Sequence, residues 1–162
     1  MIPVELSEPV VMFVKVEGFD TDLERASGDE VNRRMQRFSS IFARVDAAAA
    51  ARGGMLRRVT YQATGSDMLL CFGVLNSHTD DPYRAASTAL MVKGIIDDVG
   101  PGPGVTFRVG VASGPVFAGE MGVHLGRREF NLVGDPVNVA ARLAAKAAPG
   151  EVLVSPGLAA VL

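Results

Sequence analysis

The chain has 162 residues, with 16 Lys and Arg against 18 Asp and Glu, a formal net charge of -2 and 48% hydrophobic residues. That length suits one domain able to bury roughly 70% of the surface its unfolded chain exposes, and apolar residues spread this evenly exclude disorder. The absence of a basic block argues against a general nucleic-acid-binding surface, and one Cys with two His supplies neither an internal disulfide nor a zinc site.

Taken in chain order, Val10–Val16 (VVMFVKV) is rich in β-branched residues and predicts a buried strand with one intruder, Lys15, ended by Gly18. Val31, Met35, Phe38, Phe42, Val45 and Ala49 recur at spacings of three and four and predict a helix, with Asp29 as N-cap and Gly53-Gly54 as its stop. Leu56–Gln62 alternates, with Val59 and Tyr61 on one face and Arg58, Thr60 and Gln62 on the other. The polar link Thr64-Gly65-Ser66-Asp67 leads into MLLCFGVL, so these runs predict a hairpin whose second strand is central and buried on both faces. Asp81 as N-cap and Pro82 at the first helical position open a helix that turns Ala85, Ala89, Val92 and Ile96 inward and ends near Gly100.

Residues 100–104 form a loop without the lysine and following Ser/Thr of a P-loop. Phe107, Val109 and Val111 alternate with Arg108 and Gly110, and Ser113-Gly114-Pro115 turns the chain into Val116–Ala118, which predicts a second hairpin. Arg128–Val133 is extended, Asp135-Pro136 opens a helix over Val137–Ala147, Glu151–Val154 is a last strand, and Ser155-Pro156 caps a helix that stops after a few residues. That ending suggests a piece of a longer polypeptide. The element order predicts a single α+β sandwich over residues 1–162, with a mostly antiparallel sheet and helices packed on it. The longest apolar stretch, around Met68–Leu75, is far short of a membrane span, and MIPVELSEP lacks the cationic start of a signal peptide, which together predict a soluble cytoplasmic domain.

A nucleophilic triad has no support. Cys71 sits inside an apolar strand, where a small core residue is the expected role, and neither His78 nor His124 has a spaced partner. The pair Asp80/Asp81 is explained by helix capping, and Asp97/Asp98 reads as solvated surface. The feature that resists such an account is GDPVNVAAR, residues 134–142. Asn138 and Arg142 are four apart on one helix and leave the same face, beside a packing stripe of Val137, Ala141 and Ala144. An amide and a guanidinium presented together suit a ribose oxygen and a phosphate, although spacing alone leaves a solvated polar face open.

The stretch RVGVASGPVFAGEMG…RREFNLVGDPVNVAARLAAKAAPGEVLVS, residues 108–155, resembles the class III nucleotidyl (adenylate/guanylate) cyclase catalytic domain. VMFVKVEGFD (11–20), GGMLRRVTYQATGSDMLLCFG (53–73) and HTDDPYRAASTAL (78–90) extend the resemblance over nearly the whole chain. It implies a ferredoxin-like α+β sandwich that dimerises head to tail with nucleotide sites at the interface. In that family the 3′-hydroxyl of ATP or GTP attacks its own α-phosphate and pyrophosphate leaves, assisted by magnesium or manganese ions on two aspartates. Here those two positions are Lys15 and Ser66, and neither replaces a carboxylate. Asp67 is displaced by one residue, which predicts that its side chain turns to the other face, and Glu17 lies about 6–7 Å further along the strand.

The family's transition-state residues match Asn138, which would orient the ribose, and Arg142, which would stabilise charge on the transferring phosphate. The purine-reading position falls on Asn131, whose amide suits adenine or guanine alike, and a second reader falls on Gln62 or Thr64. This distribution looks like the second, base-reading half of the bacterial and soluble-type tandem cyclases, with the metals held by a partner domain. The family's terminal hairpin, with its triphosphate-binding lysine, would lie beyond Leu162. A catalytically inactive module that binds nucleotide and dimerises is the alternative. A ferredoxin-like RNA-binding module is disfavoured by the acidic balance and the 6% aromatic content.

Overall fold

The computed structural model describes residues 5–18, 23–62, 65–74, 76–99, 105–122 and 128–162. A short strand β1 (Glu5–Ser7) precedes β2 (Val10–Glu17), followed by α1 (Gly28–Ala50), β3 (Gly54–Gln62) and β4 (Gly65–Phe72). The chain continues through α2 (Asp81–Val99), β5 (Thr106–Ser113), β6 (Val116–Gly122), β7 (Arg128–Val133), α3 (Asp135–Lys146), β8 (Val152–Val154) and α4 (Pro156–Ala159). Five strands form a sheet in the order β3-β4-β2-β5-β8, and only the β5–β8 pair is parallel. The result is the α+β architecture that the element order predicts, with an antiparallel-dominated sheet and helices packed on it.

Alternation along the strands divides the core. Val10, Met12, Val14 and Val16 of β2, Met68, Leu70 and Phe72 of β4, and Phe107, Val109 and Val111 of β5 pack beneath Phe38, Ile41 and Val45 of α1 and Ala85, Ala89, Val92 and Ile96 of α2. On the opposite face Val11, Leu69 and Ala112 meet Ala140 of α3, while Cys71 meets Val116 and Ala118 of β6. Coverage on both faces explains why β2 and β4 read as near-continuous apolar runs.

Several local expectations are corrected. Ser113-Gly114-Pro115 does not close a hairpin. Both edges of β5 are already paired, to β2 and β8, so the chain crosses into a second sheet of order β1-β6-β7. The hairpin at this point is β6 with β7. The N-cap of α1 is Ser27, whose Oγ accepts from the Glu30 backbone N–H at 3.2 Å, in place of Asp29. Met35, expected inside, is 55% exposed, and burial along α1 begins at Phe38. Residues 100–104 lie outside the described ones. Among the described residues, no helix is long and apolar enough to cross a membrane.

One contact sets the position of α3. A Cβ built on Gly110 would lie 2.0 Å from the Ala140 carbonyl oxygen and 2.6 Å from the Ala144 backbone nitrogen. The helix backbone therefore rests directly on β5, with Pro136, Ala140 and Ala144 buried beneath it.

Candidate functional site

The junction from β7 to α3 carries three of the sequence-selected residues. Asn131 lies in β7 opposite Gly119, and the strand runs through Gly134 into the helix. Gly134 is held close, since a Cβ there would be 2.8 Å from the Pro115 carbonyl oxygen and 3.0 Å from the Val116 Cα. Pro136, with φ preset and no N–H to waste, suits the first turn of α3. With Ala140 and Ala144 turned to the sheet, Asn138 and Arg142 emerge one turn apart on the outer face, both exposed. Among the described residues, no hydrogen bond or ion pair engages either side chain. The packing stripe centres on Ala140, not on Ala141 as its spacing suggests.

A second group gathers at one end of the large sheet. Lys15 lies opposite Asp67 on one side and Arg108 on the other, and Asp67 in turn lies opposite Thr60. Lys15 Nζ is 3.4 Å from Glu17 Oε1, and Arg108 Nη2 is 3.9 Å from Glu17 Oε2. Arg108 Nε is buried without a hydrogen-bond partner among the described residues. Burial pushes the Asp67 carboxyl above its ordinary range, the charges of Lys15 and Arg58 pull it back, and Glu17 pushes it further up.

The register bears out the expectation that Asp67 turns away from the face of Ser66, and corrects which of the two residues shares a face with Lys15. Directly opposite residues of an antiparallel pair project to the same face, so Asp67 shares the face of Lys15. Ser66 lies opposite the fully buried Val16 and is itself 8% exposed, on the core side. Counting along β4 from Ser66 alone misses the cross-strand pairing that decides which face matters. Glu17 is two residues along, as expected, but the Lys15 side chain reaches it.

These donors do not fit a divalent cation. Lys15 places an ammonium against Glu17 and beside Asp67, with two guanidinium groups nearby, where a cation would need unopposed carboxylates. Among the described residues, no cluster of three or more His, Cys, Asp or Glu could hold a metal ion. Among the described residues no hydrogen bond or ion pair joins the two groups, the α3 pair on the outer helix face and the Lys15 group at the sheet end. Gln62 is the last residue of β3, opposite Gly65 at the same end of the sheet. Thr64 lies outside the described residues, so the choice between it and Gln62 stays open.

The remaining candidates resolve more simply. Cys71 is buried, and burial pushes its thiol up to about 12, which leaves it unreactive. His78 has a neighbour that its spacing does not suggest: its Nδ1 lies 3.4 Å from Asp81 Oδ1, and its backbone N–H donates to Asp81 Oδ2 at 2.8 Å. Asp80 pairs with Arg84 at 2.7 Å and Asp97 with Lys93 at 3.3 Å, both on the surface. His124 and Arg127 lie outside the described residues. The sequence reading missed Arg108 and Arg58 as members of the Lys15 group, because only strand register brings them there.

Over residues 3–162 the sequence matches the family described as the adenylate and guanylate cyclase catalytic domain, and the chain belongs to that family. It is 32% identical over 149 residues to the uncharacterized protein Rv1320c of Mycobacterium tuberculosis, covering 90% of this chain and 24% of that protein. The chain thus spans about a quarter of the curated relative it matches. Its fold is similar to that of the adenylyl cyclase CyaB from P. aeruginosa, with a TM-score of 0.85 at 18% identity over 98% of this chain and 82% of that one. It is also similar to the guanylate cyclase domain of RhGC from Catenaria anguillulae, solved in complex with GTP. There the TM-score is 0.76 at 25% identity, over 95% of this chain and 81% of that one.

Proposed function

We propose that this chain is the base-reading and transition-state half of a class III nucleotidyl cyclase site, completed by a second cyclase domain. The substrate is ATP or GTP. Asn138 orients the ribose, Arg142 neutralises charge on the α-phosphate as the 3′-hydroxyl attacks and pyrophosphate leaves, and Asn131 with Gln62 or Thr64 reads the base. Magnesium or manganese in such a site belongs to the carboxylates of the partner domain. The observation that carries this reading is the division of equipment. Asn138 and Arg142 are presented outward on α3 without partners among the described residues, while the resemblance aligns Lys15 with the first-strand position that the family uses for a metal aspartate.

A surface for the second domain accompanies the site. Leu6, Phe117 and Val133 lie in register across β1, β6 and β7, and each is more than half exposed. An apolar row of this kind, on a small sheet whose other face is packed, suits a protein partner.

The test is cyclic nucleotide formation with ATP and with GTP, in magnesium and in manganese. The purified chain alone is expected to be silent, and a metal-bearing cyclase domain added to it should restore turnover. Asn138→Ala or Arg142→Ala should then lower that turnover by about 10²-fold or more. Magnesium-dependent turnover by the chain alone would sink the half-site reading. A silent mixture that still binds nucleotide would favour the second reading, a pseudo-cyclase acting as a nucleotide-binding and dimerisation module in signalling, which the same Lys15 substitution motivates.

A further inference from the structure

The Lys15 end of the sheet does not fit a divalent cation, and we propose that it binds phosphate oxygens directly, as a metal-independent site for a triphosphate. This rests on the reading of the chain as a nucleotide-binding cyclase domain and deepens it. Lys15 and Arg108 lie opposite each other on adjacent antiparallel strands, an arrangement in which like charges repel unless an anion lies between them. Glu17 is the carboxylate that touches both, at 3.4 Å to the ammonium and a looser 3.9 Å to the guanidinium. Arg108 also keeps a buried Nε with no acceptor among the described residues, so its donor capacity is underused there.

Arg58 adds a third cation within electrostatic reach of Asp67, giving three positive groups against two carboxylates. The side chains of Lys15, Glu17 and Arg108 are 29%, 28% and 27% exposed, open enough to meet a ligand and sheltered enough for their charges to count. An ammonium is a compact point charge that neutralises phosphate oxygens as a bound cation would, and a guanidinium adds directed N–H donors. Glu17 holds both cations at the same place. The ligand class is therefore a polyphosphate, free or as the tail of a nucleoside triphosphate, with Lys15 standing in for the metal.

The test is isothermal titration of the whole chain with inorganic tripolyphosphate, ATP and GTP, first in excess EDTA and then in magnesium. All three ligands should bind in EDTA, magnesium should not be required, and Lys15→Met and Arg108→Gln should each weaken tripolyphosphate binding at least tenfold, about 1.4 kcal/mol. Lys15→Arg should retain binding, which separates loss of charge from loss of fold, and thermal melts of each variant provide the folding control. Binding that appears only with magnesium would overturn the proposal. So would unchanged affinity in a folded Lys15→Met variant. If that variant altered self-association and left tripolyphosphate affinity intact, the cations would instead serve a partner's carboxylate, and the proposal would again fall. The half-site reading is tested through Asn138→Ala in mixed-domain turnover, so either idea can fail alone.

Discussion

Gly110→Ala tests the contact that holds α3, and with it Asn138 and Arg142, against the sheet. A Cβ at this position would sit 2.0 Å from the Ala140 carbonyl oxygen, 2.6 Å from the Ala144 nitrogen and 2.9 Å from the Leu143 Cβ. Two of the three are backbone atoms, so no side chain can swing aside. The helix must back off by roughly 1.5 Å to recover ordinary contact distances. Overpacking of this kind costs about 1–3 kcal/mol and belongs at the upper end here, since Ala140 and Ala144 are fully buried. Removing a strand glycine offsets about 0.5–1 kcal/mol. The expected net loss is about 2–2.5 kcal/mol, which for a chain of this size lowers Tm by roughly 4–10 °C. Gly94→Ala is the matched control. It lies exposed within α2 with nothing within 4 Å of its Cβ, and should gain about 1 kcal/mol from helix propensity, raising Tm by roughly 2–4 °C. Thermal and urea unfolding followed by circular dichroism read both. If Gly110→Ala melts within a degree of the parent chain, α3 does not rest on the β5 backbone as described. A displaced α3 would also cost the mixed-domain turnover about 10²-fold, because Asn138 and Arg142 move with it.

Burial raises the Asp67 carboxyl above its unfolded value, so the native state holds its proton to higher pH than the unfolded chain does. Its contribution to stability is present below the ordinary carboxylate range and lost as pH rises through the raised value. Asp67→Asn should therefore be more stable than the parent at pH 7, with the gap closing in acid, and urea midpoints at both pH values check it. A less stable Asn variant at pH 7 would contradict the assignment of burial as the leading cause. Cys71, with its thiol held near 12, should resist Ellman's reagent at pH 8 until denaturant is added, and prompt labelling of the native chain would place it wrongly. Phe117→Glu alters an exposed side chain and should leave the melting temperature near that of the parent while weakening self-association in sedimentation velocity. Unchanged association would remove the β1-β6-β7 face from the partner surface.

Much of the architecture was legible because it depends on short-range patterns. The β-branched run at Val10–Val16, the three-and-four spacing through Phe38 and Val45, and the Asp81-Pro82 and Asp135-Pro136 helix starts each encode an element in a few neighbouring residues. The GDPVNVAAR motif likewise presents Asn138 and Arg142 together, since helix geometry alone puts positions four apart on one face. Local readings failed where the outcome depended on what lay across the sheet. Ser113-Gly114-Pro115 looks like a hairpin turn in isolation, yet β2 and β8 leave β5 no edge to pair with β6.

The neighbour that Asp67 meets on its face is the sharper case. Position in the sequence sets it one residue from Ser66, but only the antiparallel register of β2 and β4 sets it opposite Lys15. The same register brings Arg108 beside Lys15, from a strand more than 90 residues away in the chain. The amino-acid order thus determined the elements, the family and the paired residues of α3, all consequences of local periodicity and contiguous motifs. The tertiary structure decided which charges meet at the sheet end, because strand pairing joins residues by hydrogen-bond register and not by proximity along the chain.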